Sequence, residues 1–164
     1  MILELQHPTL ETLIKTTSDL EAMKILDKLL DCYSEQQLVS FATVEGNQPR
    51  VRPMTLIKLD EKFYMITGAR GGSDAKKLQQ IRVNPRFEYH LVLKGVNQNG
   101  FIRGMGETWE VEDRETKKKV YDKITWAANF FDSVDHPDYV LLELRHTGFS
   151  YRWPDTREIC YLNL

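Results

Sequence analysis

The sequence predicts a mainly β protein with peripheral helices, built as a closed or nearly closed antiparallel barrel of about six to eight strands. Short apolar runs of strand length recur along the chain, and tight turn signals such as Asn97-Gln98-Asn99-Gly100 separate them. Such turns favour antiparallel hairpins. The 164 residues are enough for one domain with a core of its own.

The elements follow in order from the spacing of apolar residues. Residues 1–17 are weakly patterned and are assigned to a short helix or an N-terminal arm of a single domain spanning 1–164. Helical spacing then predicts helices from Ser18 to near Tyr33, from Ser73 to about Arg82 and from Glu112 to about Trp126. The predicted strands are Leu38–Val44, Pro49–Leu59, Lys62–Thr67, Arg86–Lys94, Phe101–Glu110, Tyr139–Leu144, Phe149–Trp153 and Ile159–Leu162.

Composition narrows the classes of protein to consider. The net charge of −2 gives no reason to expect a nucleic-acid partner, and no apolar run reaches the length of a membrane span. No secretory leader is evident, and the spacing of cysteines and histidines fits no metal site. We therefore predict a cytoplasmic protein without a metal, in which Cys32 and Cys160 are free thiols.

The turn before the second predicted helix has features of a phosphate site. Gly71-Gly72 permit a free backbone turn, Ser73 is a suitable N-cap, and Lys76 and Lys77 follow in the first helical turn. Lysines are mildly unfavourable at the positive end of a helix unless an anion binds there. The pattern fits either a bound phosphate or an exposed basic turn without a ligand.

Arg52 lies in the middle of an otherwise apolar strand, on the same face as Arg50 and Met54. A mid-strand arginine on such a mixed face needs a counter-charge, an aromatic plane or water. Pro53 cannot donate a ladder hydrogen bond and marks a sheet edge or an irregularity. The alternative is an ordinary surface ion pair.

The order of these motifs resembles one family. The segment Arg50-Val51-Arg52-Pro53-Met54, the strand ending in Thr67 and the helix Lys77-Leu78-Gln79-Gln80-Ile81-Arg82-Val83-Asn84-Pro85 are similar to the FMN-binding split-barrel proteins related to pyridoxamine 5'-phosphate oxidase. The later strand from Gly106 to Val111, leading into an acidic helix start, fits as well. The resemblance covers roughly Leu20 to Trp126.

The resemblance implies a role for each matching residue. Arg52, with Arg50 near it, would contact the phosphate side of the flavin, and Pro53, Met54 and Thr55 would lie along the isoalloxazine ring. Thr67 and Ser73 would lie near the ribityl phosphate, and Lys77, with Lys76 before it, would bind that phosphate. It also implies a homodimer with each FMN in a groove between subunits.

The sequence departs from the true oxidase at three points. The turn from Gly68 to Ala75 is longer than in the oxidase. Ile57 stands where the oxidase has a second basic residue, and the C-terminal Arg-x-His-x-Arg signature is absent. We therefore expect a flavoprotein that acts as an oxidoreductase and transfers hydride or electrons between small molecules through FMN. We do not expect it to oxidise pyridoxamine phosphate. No catalytic side chain is identified.

Two alternatives stay open. One is a non-enzymatic flavin-binding, haem-binding or sensor protein, in which His90 or His146 would be the axial haem ligand. The other is a deazaflavin-dependent reductase of the same fold. Trp109, Tyr151 and Trp153 are candidates for stacking on a flavin, although aromatic residues in sheets usually pack in cores or at dimer contacts.

Overall fold

A computed structural model describes residues 10–68 and 71–164, with the backbone alone for residues 10–17 and 73. The chain divides into two compact units, Met1–Cys32 and Tyr33–Leu164. The first contains helix α1 (Leu10–Leu30). The described residues of the second form seven strands, within the predicted range of six to eight. No helix in the described ranges is long and apolar enough to cross a membrane.

Helix α1 begins at Leu10 and ends at Leu30, so the predicted start at Ser18 and end near Tyr33 were wrong. Leu10, Leu13 and Ile14 continue the helical spacing upstream of Ser18. A serine inside a helix costs only a fraction of a kcal/mol, roughly 0.5, so it does not by itself stop one.

The strands close into a barrel. Their order is β3-β2-β1-β4-β5-β6-β7, and β3 also pairs with β6, which closes the first six. All pairings are antiparallel. The strands are β1 (Gln36–Glu45), β2 (Gln48–Leu59), β3 (Lys62–Thr67), β4 (Arg86–Leu93), β5 (Gly100–Glu110), β6 (Val140–Arg152) and β7 (Cys160–Asn163).

β6 corrects another prediction, because one strand of 13 residues replaces the two predicted ones. The ladder between β5 and β6 shifts register at Met105/Gly106, so the strand passes through Arg145–Gly148 without a break. A Cβ on Gly106 would lie 2.0 Å from the backbone oxygen of Arg145. The glycine therefore permits the close approach that the bulge requires.

Two helices pack on the barrel unit. α2 (Lys76–Val83) contacts β1, and α3 (Arg114–Lys123) follows its N-cap Asp113, which accepts a hydrogen bond from the backbone N–H of Thr116 at 2.8 Å. α3 ends three residues before the predicted Trp126 and is followed by a 3₁₀ turn (Thr125–Asn129). One hydrophobic cluster includes Val120 of α3. Its buried members are Ile57, Tyr64, Ile66, Val120, Ile124, Ala127, Phe131, Val134, Tyr139 and Leu141.

A second cluster, made of aromatic rings, lies inside the barrel between β1, β3, β4 and β6. Phe41 and Phe87 stack with ring centroids 5.7 Å apart, and Phe87 stacks on Tyr89 at 6.0 Å. The rings of Phe63 and Phe149 lie within 5 Å of the His146 ring. This cluster fixes β1, β3, β4 and β6 around one interior.

Candidate functional site

The barrel is split between β2 and β3. β2 pairs with β1 from Gln48 to Ile57, but its ladder with β3 covers only Ile57–Leu59 and Lys62–Tyr64. The other edge of β2 before Ile57 therefore has no ladder partner in the described ranges. Backbone groups on such an edge are available to a ligand. The predicted flavin wall, Pro53 to Thr55, lies on this edge.

Arg52 belongs to a closed ring of three hydrogen bonds. Its Nη1 donates to Thr43 Oγ1 at 2.8 Å and its Nη2 donates to Gln80 Oε1 at 2.9 Å. Thr43 Oγ1 donates in turn to Gln80 Oε1 at 2.7 Å. Thr43 on β1 and Gln80 on α2 are both buried. The ring thus fixes the guanidinium at the junction of two strands and a helix.

The charge of Arg52 is not balanced by this ring. No carboxylate of the described part of the chain forms an ion pair with it within 4.0 Å. Burial, and then the nearby Arg50 cation, lower the pKa of Arg52 from its ordinary value. Both effects disfavour the charged form, and a bound anion would reverse the sign of the local field.

Lys77 joins α2 to the same part of β2. Its Nζ lies 3.9 Å from the sulfur of Met54, and the side chain is half-buried. Met54 is two residues from Arg52 on one face of β2, and Gln80 is three residues from Lys77 on one face of α2. The two faces therefore meet along Arg52–Gln80 and Met54–Lys77. Lys76, the first residue of the helix, is exposed.

Thr67 ends β3 with an unsatisfied hydroxyl. The residue is 1% exposed, and its Oγ1 has no hydrogen-bond partner among the described atoms. The ladder between β2 and β3 ends at Tyr64, so Thr67 lies on the part of β3 that has no pairing with β2. A buried hydroxyl without a partner costs about 1–3 kcal/mol, and a ligand acceptor would remove that cost. The hydroxyl, the open edge and the two cations fit a phosphate-bearing group.

Arg50 is not joined to this ring. Its Nη2 lies 2.7 Å from Glu45 Oε2 in an ion pair whose two side chains are about half exposed. Arg50 is thus in an ordinary surface ion pair, whereas Arg52, for which such a pair was the alternative prediction, is not. Its influence on the site is the repulsion that lowers the pKa of Arg52.

Ser73 does not have the predicted role of N-cap. The residue lies within a 3₁₀ turn (Gly72–Asp74), and the N-cap of α2 is Ala75, without a side-chain hydrogen bond. The Gly71 backbone at φ 91° and the Gly72 backbone at φ 62° allow this second turn before the helix. The Ser73 side chain is outside the described part of the chain.

The glycine turn itself faces a carboxylate. A Cβ on Gly72 would lie 2.6 Å from Asp138 Oδ1, and one on Gly68 would lie 1.8 Å from the Asp138 backbone oxygen. The glycines therefore allow the turn to pack closely on Asp138. Since a carboxylate repels an anion, the cationic side of the site is at Arg52 and Lys77 instead.

Sequence reasoning missed Thr43 and Gln80. Thr43 has the same strand parity as buried Val39 and Phe41, and Gln80 lies between the buried Leu78 and Ile81 of α2. A polar residue at a position that the pattern assigns to the core must have a hydrogen-bond partner. That signal was present in the sequence, but the partner was not predictable from it.

The two histidines considered as haem ligands are already in contact with other groups. His146 Nε2 lies 2.8 Å from Tyr89 Oη, and burial lowers the pKa of His146 to about 4. Tyr89 Oη in turn lies 2.8 Å from Tyr33 Oη. The His90 ring lies 5.6 Å from the Phe101 ring.

The aromatic stacking candidates are also in contact with protein groups. The Arg145 guanidinium lies 4.2 Å from the centroid of the Trp109 ring. Tyr151 and Trp153 contact each other with centroids 5.2 Å apart. Two described grooves of about 380 Å³ have Arg82 and Met105 among their lining residues, and neither is lined by Arg52, Thr67 or Lys77. The candidate site is therefore an open strand edge and not one of these grooves.

No family model matches this chain. General stress protein 26 of Bacillus subtilis (strain 168) is 28% identical over 123 residues, which cover 73% of this chain and 82% of that protein. Among solved structures, a NimC/NimA family protein of Clostridium acetobutylicum has a TM-score of 0.64 at 24% identity, covering 87% of this chain and 92% of its own.

Other solved structures share the fold at lower identity. A general stress protein 26-related protein of the pyridoxinephosphate oxidase family from Clostridium acetobutylicum has a TM-score of 0.64 at 16% identity, covering 87% of this chain and 94% of its own. A FAD-binding protein of Mesorhizobium loti has a TM-score of 0.58 at 16% identity, covering 76% and 89%. A haem-binding protein of Mycobacterium smegmatis has a TM-score of 0.63 at 14% identity, covering 79% and 53%.

These likenesses confirm the fold that the sequence predicts. The six-stranded closed barrel with one added strand and three helices matches the split-barrel structures. The chain has the split-barrel fold, and its neighbours are general stress protein 26 and pyridoxamine 5'-phosphate oxidase-family proteins.

Proposed function

We propose that the chain binds FMN without covalent attachment at the open edge of β2 and acts as an oxidoreductase. The observation that carries the proposal is the half-buried Arg52 guanidinium, which neutral partners hold two residues along β2 from the contact between Met54 and Lys77. The buried Thr67 hydroxyl, which has no partner among the described atoms, is a further donor. A phosphate monoester supplies the negative charge and the acceptors that this arrangement requires. The FAD-binding neighbour supports a flavin over other phosphate compounds.

Each residue has a distinct task in this proposal. Arg52 and Lys77 bind the phosphate, and the Thr67 hydroxyl donates to the ligand near it. The β2 edge from Pro53 to Thr55 orients the ring, with Met54 offering an apolar, polarizable contact. The flavin, when bound, supplies the hydride or electron transfer, so the chain needs no acid or base of its own.

The phosphate assignment is tested by a matched pair of lysine variants. Lys77→Ala should weaken FMN binding at least tenfold, because it removes a charged partner of the phosphate. Lys118→Ala should leave affinity unchanged, because Lys118 pairs with Asp122 on α3. Titration of flavin fluorescence measures both. Equal effects would refute the assignment.

The redox activity is tested separately from binding. Under anaerobic conditions, a reduced nicotinamide should bleach the absorbance of bound FMN, and an added electron acceptor should restore that absorbance while the nicotinamide is oxidised over many turnovers. Bound FMN that is never reduced would favour a flavin carrier or sensor. A chain that takes up haem or a deazaflavin more tightly than FMN would favour one of the other two alternatives.

We also propose that the site is completed by a homodimer. The β2 edge is open, and the outward residues Leu38 and Val51 beside it are 69% and 67% exposed. Leu38 pairs with Thr55 and Val51 pairs with Ala42, so both lie on the outer face next to the proposed flavin wall. A second copy of the chain on this face would bury these apolar residues and shield the ring from water.

A further inference from the structure

The hydrogen-bonded ring of Arg52, Thr43 and Gln80 contains no carboxylate. Gln80 is 7% exposed and Thr43 is 1% exposed, so both partners of the guanidinium are neutral groups removed from water. The guanidinium itself is half-buried, and a cation that is drawn out of water is normally paired with a carboxylate. Glutamate has nearly the same shape as glutamine and would accept the same hydrogen bonds while neutralising the charge.

The ring fixes the Arg52 guanidinium but uses only part of its capacity to donate hydrogen bonds. A guanidinium has five N–H groups in a fixed plane, and the ring uses one on Nη1 and one on Nη2. Gln80 Oε1 accepts from both Arg52 and Thr43, and so its two acceptor positions are filled. The other three N–H groups of Arg52, including Nε–H, have no hydrogen-bond acceptor among the described residues and can donate to a ligand.

We propose that Gln80 is a positioning residue that aims the Arg52 guanidinium at a phosphate monoester while leaving its charge unbalanced. This inference rests on the proposed function and assigns to Gln80 and Thr43 the selectivity for a phosphorylated ligand. Since Gln80 and Lys77 are on one face of α2, the helix delivers both the phosphate-binding ammonium and the group that orients the guanidinium.

The test compares FMN with riboflavin, which lacks the phosphate. In Gln80→Glu the carboxylate neutralises Arg52, so affinity for FMN should fall about tenfold or more while affinity for riboflavin is unchanged. Sodium chloride should weaken FMN binding less in this variant than in the wild type, because less charge is involved. The thermal midpoint of the ligand-free variant should not fall, which a merely structural role of Gln80 would not predict.

Thr43→Val provides a second variant if Gln80→Glu does not fold. It keeps the shape of the residue and removes the hydroxyl that bridges Arg52 and Gln80, so the preference for FMN over riboflavin should again shrink. An unchanged ratio of FMN to riboflavin affinity in a folded variant would overturn the inference.

Inorganic phosphate separates this inference from the proposed function. Phosphate alone should raise the thermal midpoint of the wild type and raise that of Gln80→Glu less. If the wild type binds no flavin but still shows this difference, the FMN proposal fails and the role of Gln80 stands. If the wild type prefers FMN and Gln80→Glu keeps that preference, the role of Gln80 fails and the FMN proposal stands.

Discussion

At the scale of single residues, Arg52 is the side chain on which the proposed chemistry depends. Replacement by glutamine should weaken FMN binding about ten- to hundredfold, because a charge-assisted hydrogen bond contributes about 1.5–3 kcal/mol. Riboflavin binding should change much less. Arg50→Gln is the matched control, since Arg50 pairs with exposed Glu45. Fluorescence titration of both variants with both ligands measures the difference, and equal losses would contradict the assignment.

His146 should make stability depend on pH. Burial lowers its pKa in the folded state to about 4, whereas the unfolded chain takes up its proton near 6.5. The contribution of neutral His146 is therefore complete above pH 6.5 and is lost as the pH falls toward 4. The loss is about 3 kcal/mol over that range.

Urea unfolding of the wild type and of His146→Phe at pH 7 and pH 4.5 checks this expectation. The variant should lose less free energy of unfolding between the two pH values than the wild type. His90→Gln is the control, because His90 is only half-buried and should affect the pH dependence less. A slope unchanged in His146→Phe would show that other groups cause the acid sensitivity.

At the scale of elements, the bulge between β5 and β6 lets one long strand serve three partners. The first part of β6 pairs with β3 and its last part pairs with β7, while β5 runs along nearly all of it. Glycine is required at the bulge because a Cβ on Gly106 would lie 2.0 Å from the Arg145 oxygen. A backbone atom cannot move aside as a flexible side chain does.

Gly106→Ala should therefore destabilise the fold by about 1–3 kcal/mol or more. Gly46→Ala is the control, since it has no atom within 4 Å of the new Cβ and adds only the strain of a positive φ, about 1 kcal/mol. Chemical denaturation monitored by circular dichroism compares the two. A smaller loss in Gly106→Ala than in Gly46→Ala would contradict the steric argument.

Several elements were predictable because their signals are local. The alternation in β1 and β2, the two-residue turn at Asp60-Glu61 and the break at Asn84-Pro85 each act over a few residues. The start of α2 was not, because Gly72–Asp74 forms a separate 3₁₀ turn that packs against distant Asp138. The continuity of β6 also depends on a partner strand far along the chain.

The residues of the candidate site also fall into a group that the sequence predicts and a group that it does not. Arg52 and Lys77 were predicted from local patterns, and Thr67 from the family resemblance, to be residues of the site. Thr43 and Gln80 were missed, since a hydrogen-bonded ring across β1, β2 and α2 exists only after the elements pack. Patterns in one sequence indicate which polar residues are buried, but their partners depend on the tertiary structure.

At the scale of the whole molecule, the proposed dimer links assembly to cofactor binding. Val51 is 67% exposed on the outer face of β2, next to the edge proposed for the flavin ring. A glutamate there would place two charges near each other in a symmetric, water-excluded interface, which is strongly unfavourable. Val51→Glu should therefore be monomeric, and its FMN affinity should fall although Arg52 and Lys77 are intact.

Sedimentation velocity with and without FMN measures the oligomeric state, and the flavin absorbance that sediments with the protein measures FMN binding. Val96→Glu is the control, because Val96 is 92% exposed in the loop between β4 and β5. The wild type and this control should sediment as dimers, and FMN should shift both further toward the dimer, because a ligand that binds the assembled state stabilises it by mass action. If the wild type is a monomer and still binds FMN tightly, one subunit forms the complete site and the dimer proposal is wrong.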